Sequence, residues 1–75
     1  MEDEVERAQD SLNRLTAIAL MCNDQKALDS ALTTQAVFQI LKEINSPQLP
    51  ELCTAIFRCY IGISYQLSVD KSKKQ

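Results

Sequence analysis

Histidine is absent from the 75 residues, glycine occurs once and proline twice. Each scarcity removes something. So little glycine and proline excludes a collagen-like repeat, a low-complexity disordered chain and a turn-rich β fold. Without histidine, and without a glycine-rich phosphate loop, the chain lacks the convergent polar groups that acid–base or nucleophilic catalysis requires. No enzymatic activity, small-molecule substrate, cofactor or metal is therefore expected. Positive charge is also short. Eight Lys and Arg against ten Asp and Glu give a formal charge of −2 and a pI near 4.9, which leaves no basic face to displace counterions from phosphate and argues against a nucleic-acid partner. The charge-free run Cys59 to Val69 spans eleven residues, short of the roughly 20 that cross a bilayer, so no membrane partner is expected.

What is present is apolar and helix-compatible: 45 % of residues are hydrophobic and 24 % charged. From Asp3 to about Cys22 the residues Val5, Ala8, Leu12, Leu15, Ala19 and Cys22 recur at steps of three and four, one stripe of an amphipathic helix. Glu4 and Glu6 favour its N-terminal end. Ile18, Leu20 and Met21 lie off the stripe and imply cover from more than one side. Asn23-Asp24 reads as a break, with Asp24 capping a short helix to about Leu32. Thr33 or Thr34 then caps a third helix to about Ile44, with Ala36, Val37, Ile40, Leu41 and Ile44 inward and Phe38 on one flank. Asn45-Ser46-Pro47 stops it, and Pro50 suits the first position of a fourth helix ending near Ser68.

That fourth helix is apolar around most of its circumference, with a polar stripe limited to Glu51, Thr54, Arg58, Gly62 and Gln66. Such a helix is either central to the fold or buries part of itself against a second molecule. Residues 1–69 are expected to form one helical domain, and 70–75, with Lys71, Lys73 and Lys74, a disordered solubilising tail. Cys22, Cys53 and Cys59 are odd in number. Cys53 and Cys59 point about 120° apart on one helix, so all three read as buried thiols in a reducing compartment. With an acidic N-terminus in place of a basic leader, an intracellular location, nucleus or cytoplasm, is expected.

The stretch Thr34 to Pro47 followed by Pro50 to Ser64 resembles an armadillo repeat, in the placing of Val37, Ile40 and Leu41, the Ser46-Pro47 turn, and Ala55, Ile56 and Ile63 beyond it. Leu12 to Ala19 looks like the third helix of a preceding repeat. The same pattern resembles the small helical bundle at the N-terminus of transcription elongation factor S-II and of integrase-binding domains. That resemblance implies binding of short motifs of nuclear transcription or chromatin proteins through the loops at Asn23 to Lys26 and Asn45 to Leu49.

The expectation is thus an all-α four-helix bundle (long, short, medium, long) with armadillo-like packing, acting as a protein-interaction module. A partner helix or short motif would dock on the third and fourth helices through Lys42, Arg58, Ile61 and Tyr65. The alternative is self-association, in which the apolar fourth helix closes against its own copy.

Overall fold

The structure, a computed structural model, describes residues 3–73. It contains three helices, α1 (Glu4–Met21), α2 (Gln25–Glu43) and α3 (Leu49–Lys73). Asp3 caps α1, its carboxylate accepting the Val5 N–H at 3.2 Å. At the far end Asn23 takes φ 56°; its N–H donates to the Leu20 carbonyl at 3.1 Å and the Asp24 N–H to the Ala19 carbonyl at 3.2 Å. This paired closure satisfies carbonyls that a helix end leaves orphaned. Asp24 then caps α2, accepting the Ala27 N–H at 3.1 Å. The end of α2 repeats the device: Asn45 has φ 55°, and the N–H groups of Asn45 and Ser46 donate to the carbonyls of Lys42 and Leu41 at 3.2 and 3.0 Å. Asn tolerates the left-handed region better than other side-chain-bearing residues, so both turns form without glycine. Such short connections make consecutive helices antiparallel, and α1 and α3 therefore run the same way.

The bundle has three helices, and the four-helix arrangement of long, short, medium and long elements with armadillo-like packing is overturned. The segments read as Asp24 to Leu32 and Thr33 to Ile44 are one continuous helix. Thr34 does not cap a new helix; its hydroxyl donates to the Ser30 carbonyl at 2.8 Å, a back-bond compatible with uninterrupted α2. The last helix opens at Leu49, one residue before Pro50, and continues to Lys73, so residues 70–73 of the expected disordered tail are helical. Lys74 and Gln75 lie outside the described residues. Leu20 and Met21, expected to be covered, are 62 % and 84 % exposed.

The core is small and lies toward one end. Ala8 and Leu12 of α1, Phe38 of α2, and Cys53 and Ile56 of α3 form one buried cluster, with Val5, Leu15, Leu49, Leu52 and Phe57 packed around it. Phe38, the largest of these, is fully buried. Its burial inverts the expected facing of α2, because Val37, Ile40 and Ile44 are exposed instead, Ile44 by 65 %. The α1–α2 seam is correspondingly polar. Gln9 donates to Gln35 at 3.0 Å, Gln35 donates to Asn13 at 3.0 Å and to Thr16 at 3.3 Å, and Lys42 donates to Gln9 at 3.0 Å. The Lys42 ammonium also sits 4.9 Å from the centroid of the Phe38 ring. With a core of this size contributing about 3–5 kcal/mol in all, Phe38→Ala, costing about 3–5 kcal/mol, is expected to abolish the cooperative thermal transition. Far-UV circular dichroism at room temperature checks this as a loss of most helical signal.

Candidate functional site

α1 packs against both other helices, whereas α2 and α3 meet each other far less. Near the Phe38 cluster the three converge; toward the other end α2 and α3 diverge and leave an open groove floored by α1. Its volume is about 460 Å³, with Leu15, Ile18 and Cys22 on the floor, Ala27, Ala31 and Thr34 on one wall, and Ala55, Cys59 and Ile63 on the other. Asp24, at the α1–α2 turn, is the one charged residue of the lining. The consequence for surface is measurable. The chain exposes 5738 Å², some 1,100 Å² above the roughly 4,650 Å² of a monomer of its mass. Its radius of gyration is 13.5 Å, against about 11 Å for a domain of this length.

Helical spacing organises both walls. On α2 the groove residues Ala27, Ser30 and Thr34 continue at steps of three and four into Val37, Leu41 and Ile44. On α3, Leu52, Ala55 and Cys59 continue into Gly62, Gln66 and Val69. Each is a heptad row, the pattern by which one helix receives the side chains of another. Of the two rows, Ala27, Ser30, Thr34, Leu52, Ala55 and Cys59 line the groove; the later residues continue the same spacing along each helix beyond it. A Cβ added at Gly62 meets nothing within 4 Å, so no close crossing inside the chain accounts for this glycine, which costs the helix about 1 kcal/mol relative to Ala.

The four residues expected to bind a partner do not line this groove. Arg58, Ile61 and Tyr65 share the outer face of α3, with Ile61 and Tyr65 66 % and 70 % exposed. Among the described residues the one salt bridge is Arg14 to Asp10 at 3.2 Å, so Arg58 is not held by Glu51. Lys42 belongs to another surface, engaged by Gln9 and the Phe38 ring. The loops at Asn23 to Lys26 and Asn45 to Leu49 sit at opposite ends of α2, about 28 Å apart along its axis, and do not form one surface. The signal that sequence reading missed is the second row of α2: Ala27, Ser30 and Thr34 look like ordinary helix filling until joined to Val37, Leu41 and Ile44.

Beside Ile61 is a shallower depression bounded by Arg7, Asp10, Phe57 and Tyr60, where the Arg7 guanidinium lies 5.6 Å from the Phe57 ring centroid. Arg14 donates to the Tyr60 hydroxyl at 3.3 Å. That hydrogen bond, and then one from Ser64, holds the Tyr60 phenol below its ordinary value.

Of the three thiols only Cys53 is buried; Cys22 and Cys59, expected inside, are exposed and line the groove. Burial pushes the Cys53 thiol up, with Glu4 and Asp3 adding to the effect. No cluster of three or more metal-ligating side chains occurs among the described residues. By length and composition alone, Leu49–Asp70 of α3 is long and apolar enough to cross a membrane, with a mean hydropathy of 1.2 and 11 % of the window buried. An unbroken-run criterion passes over it because Glu51 and Arg58 interrupt the apolar sequence. Compared with known protein families, curated proteins and solved structures, the chain matches none.

Two measurements check this geometry. A thiol reagent on the native chain should label Cys22 and Cys59 rapidly and Cys53 only as fast as the chain unfolds. In a Tyr65→Phe background the remaining phenol should ionise below its ordinary range and move up when Arg14 is replaced by Met. Because the folded value is depressed, this contact's contribution to stability is present above the unfolded phenol's value and is lost as pH falls through the folded one. An absorbance titration with a parallel melt reads both.

Proposed function

We propose that this chain is a non-enzymatic helical interaction module that takes one further apolar helix into the groove between α2 and α3. The observation that carries the reading is the groove itself, with one charged residue in its lining and a wall on each side spaced as a heptad, Ala27-Ser30-Thr34 on α2 and Leu52-Ala55-Cys59 on α3. An entering helix would contact both rows with its own heptad face and reach Leu15 and Ile18 on the floor. The recognition mode is helix-in-groove, with apolar anchors giving the affinity. The groove supersedes the outer-face residues Arg58, Ile61 and Tyr65 as the centre of the site, since these lie on the far side of α3. Lys42 acts within the chain, holding α2 against α1.

Small residues on both walls set the occupant's chemistry. Ala27, Ala31, Ala55 and Cys59 leave room for a helix backbone to approach closely, and a face of small and aliphatic side chains fits where a row of aromatics does not. The scarcity of charge in the lining disfavours an acidic or basic helix, which would lose hydration without gaining a partner.

The test uses a fluorescent, neutral synthetic helix carrying Ala and Leu at heptad positions. Saturable one-to-one binding by anisotropy is expected, weakened at least tenfold by Ala55→Arg and unchanged by Ile61→Arg. Equal losses in both variants, or insertion of α3 into zwitterionic lipid vesicles in place of helix binding, would overturn the reading.

A further inference from the structure

We infer that the helix occupying the groove is α3 of a second copy of this chain, the two α3 helices packing antiparallel and each entering the other's groove. The inference rests on the groove reading above and deepens it by naming the occupant.

The first argument is area. A chain that exposes about 1,100 Å² more than a compact monomer of its mass has surface enough for one side of a standard interface, roughly 800 Å² per partner.

The second argument is fit. The α3 row Ala55, Cys59 and Gly62 is small and uncharged, the chemistry that the walls of the groove admit, and Ala55 and Cys59 already belong to one of those walls. Antiparallel pairing about a twofold axis level with Cys59 sets each such row against its own copy. The crossing then falls where side chains are smallest, and Gly62, which nothing in its own chain approaches, comes to face the other backbone. α3 is apolar on most of its circumference while α1 covers one side of it; a second α3 supplies the missing cover.

The third argument is reach. α3 has 25 residues against 18 in α1 and 19 in α2, so it overhangs the open end of its own bundle. Reversed in the partner's groove, that overhang runs to the partner's closed end. Leu67 of one copy comes level with Glu51 of the other, beside the part of α2 that carries the exposed Val37 and Ile44. The surplus of one end thus lies along the deficit of the other. The same register brings no like charges level, since Glu51 is level with Leu67, Arg58 with Tyr60 and Asp70 with Gln48.

Light scattering over a micromolar dilution series, with circular dichroism on the same samples, tests the arrangement. The wild-type chain is expected at twice the 8.5 kDa of the monomer. Gly62→Arg should halve that mass while keeping the helical signal, because the added side chain meets open space in the single chain. Ile61→Arg, on the outer face, should leave the mass doubled. In a Cys22→Ser background, mild oxidation with copper–phenanthroline should join two chains through Cys59. A mass of 8.5 kDa at every concentration, with full helicity and continued binding of the synthetic helix, overturns the second copy as occupant and leaves the groove reading standing. A dimer that survives Gly62→Arg but is dissolved by Ile61→Arg overturns both.

Discussion

The burial of Phe38 is the constraint on which the rest of the structure depends. It is the largest fully buried side chain, and it places α2 in contact with Leu12 of α1 and Cys53 of α3 in one cluster. Once Phe38 points inward, the rotation of α2 about its axis is fixed. Gln35 and Lys42, three before and four after it, must then also face α1, and they do so only because Gln9, Asn13 and Thr16 accept or return their hydrogen bonds. Val37, Ile40 and Ile44 are turned outward by the same rotation. A polar seam inside the bundle and an apolar row outside it are two results of one packing decision.

A bundle arranged this way does not close. α1 sits against both neighbours, and the space between the open halves of α2 and α3 has the residues of a core without the helix that would complete it. Chains of this size have little stability in reserve, and those that persist commonly add disulfides, a metal or a second subunit. The three cysteines are free, and the described residues offer no metal cluster. The self-association proposed above would add to that reserve at the surface that the Phe38-centred packing leaves bare.

Several elements were legible in the residues. The α1 stripe of Val5, Ala8, Leu12, Leu15 and Ala19 packs as its spacing indicates, Asp3 and Asp24 sit at helix starts, and Asn23 and Asn45 mark the two turns through the left-handed conformation that asparagine accepts. The all-α class follows from the same signals. What was not legible has identifiable causes. Thr33-Thr34 carries the composition of a cap, but a threonine hydroxyl can equally return to a carbonyl four residues back, and only tertiary packing decides between them. The facing of α2 was misread because Val37, Ile40, Leu41 and Ile44 form a stronger apolar period than Leu28, Ala31, Gln35, Phe38 and Lys42. Periodicity ranks faces by hydrophobicity and does not register that a mixed face can win through one phenyl ring and a satisfied polar network. Arg58, Ile61 and Tyr65 share one exposed face of α3, as their spacing indicates, whereas Lys42 lies on another surface, engaged by Gln9 and the Phe38 ring.

The competition between the two faces of α2 explains why the groove stays open. Rotating α2 by about a quarter turn would bring Val37 inward, a burial worth about 1.5–3 kcal/mol, while Leu41 is half-buried already. It would also expose Phe38, whose burial is of the same order, and break the four side-chain hydrogen bonds across the α1–α2 seam, at about 0.5–1.5 kcal/mol net for each. The apolar exchange nearly cancels, so the hydrogen bonds decide the outcome. In the half of α2 nearest the open end the alternative face carries Ala27, Ser30 and Thr34, too small to reach α1 and fill the groove from within. The chain is thus prevented from covering its own apolar row, and the polar seam, although it contributes little hydrophobic stability, leaves that row on the surface.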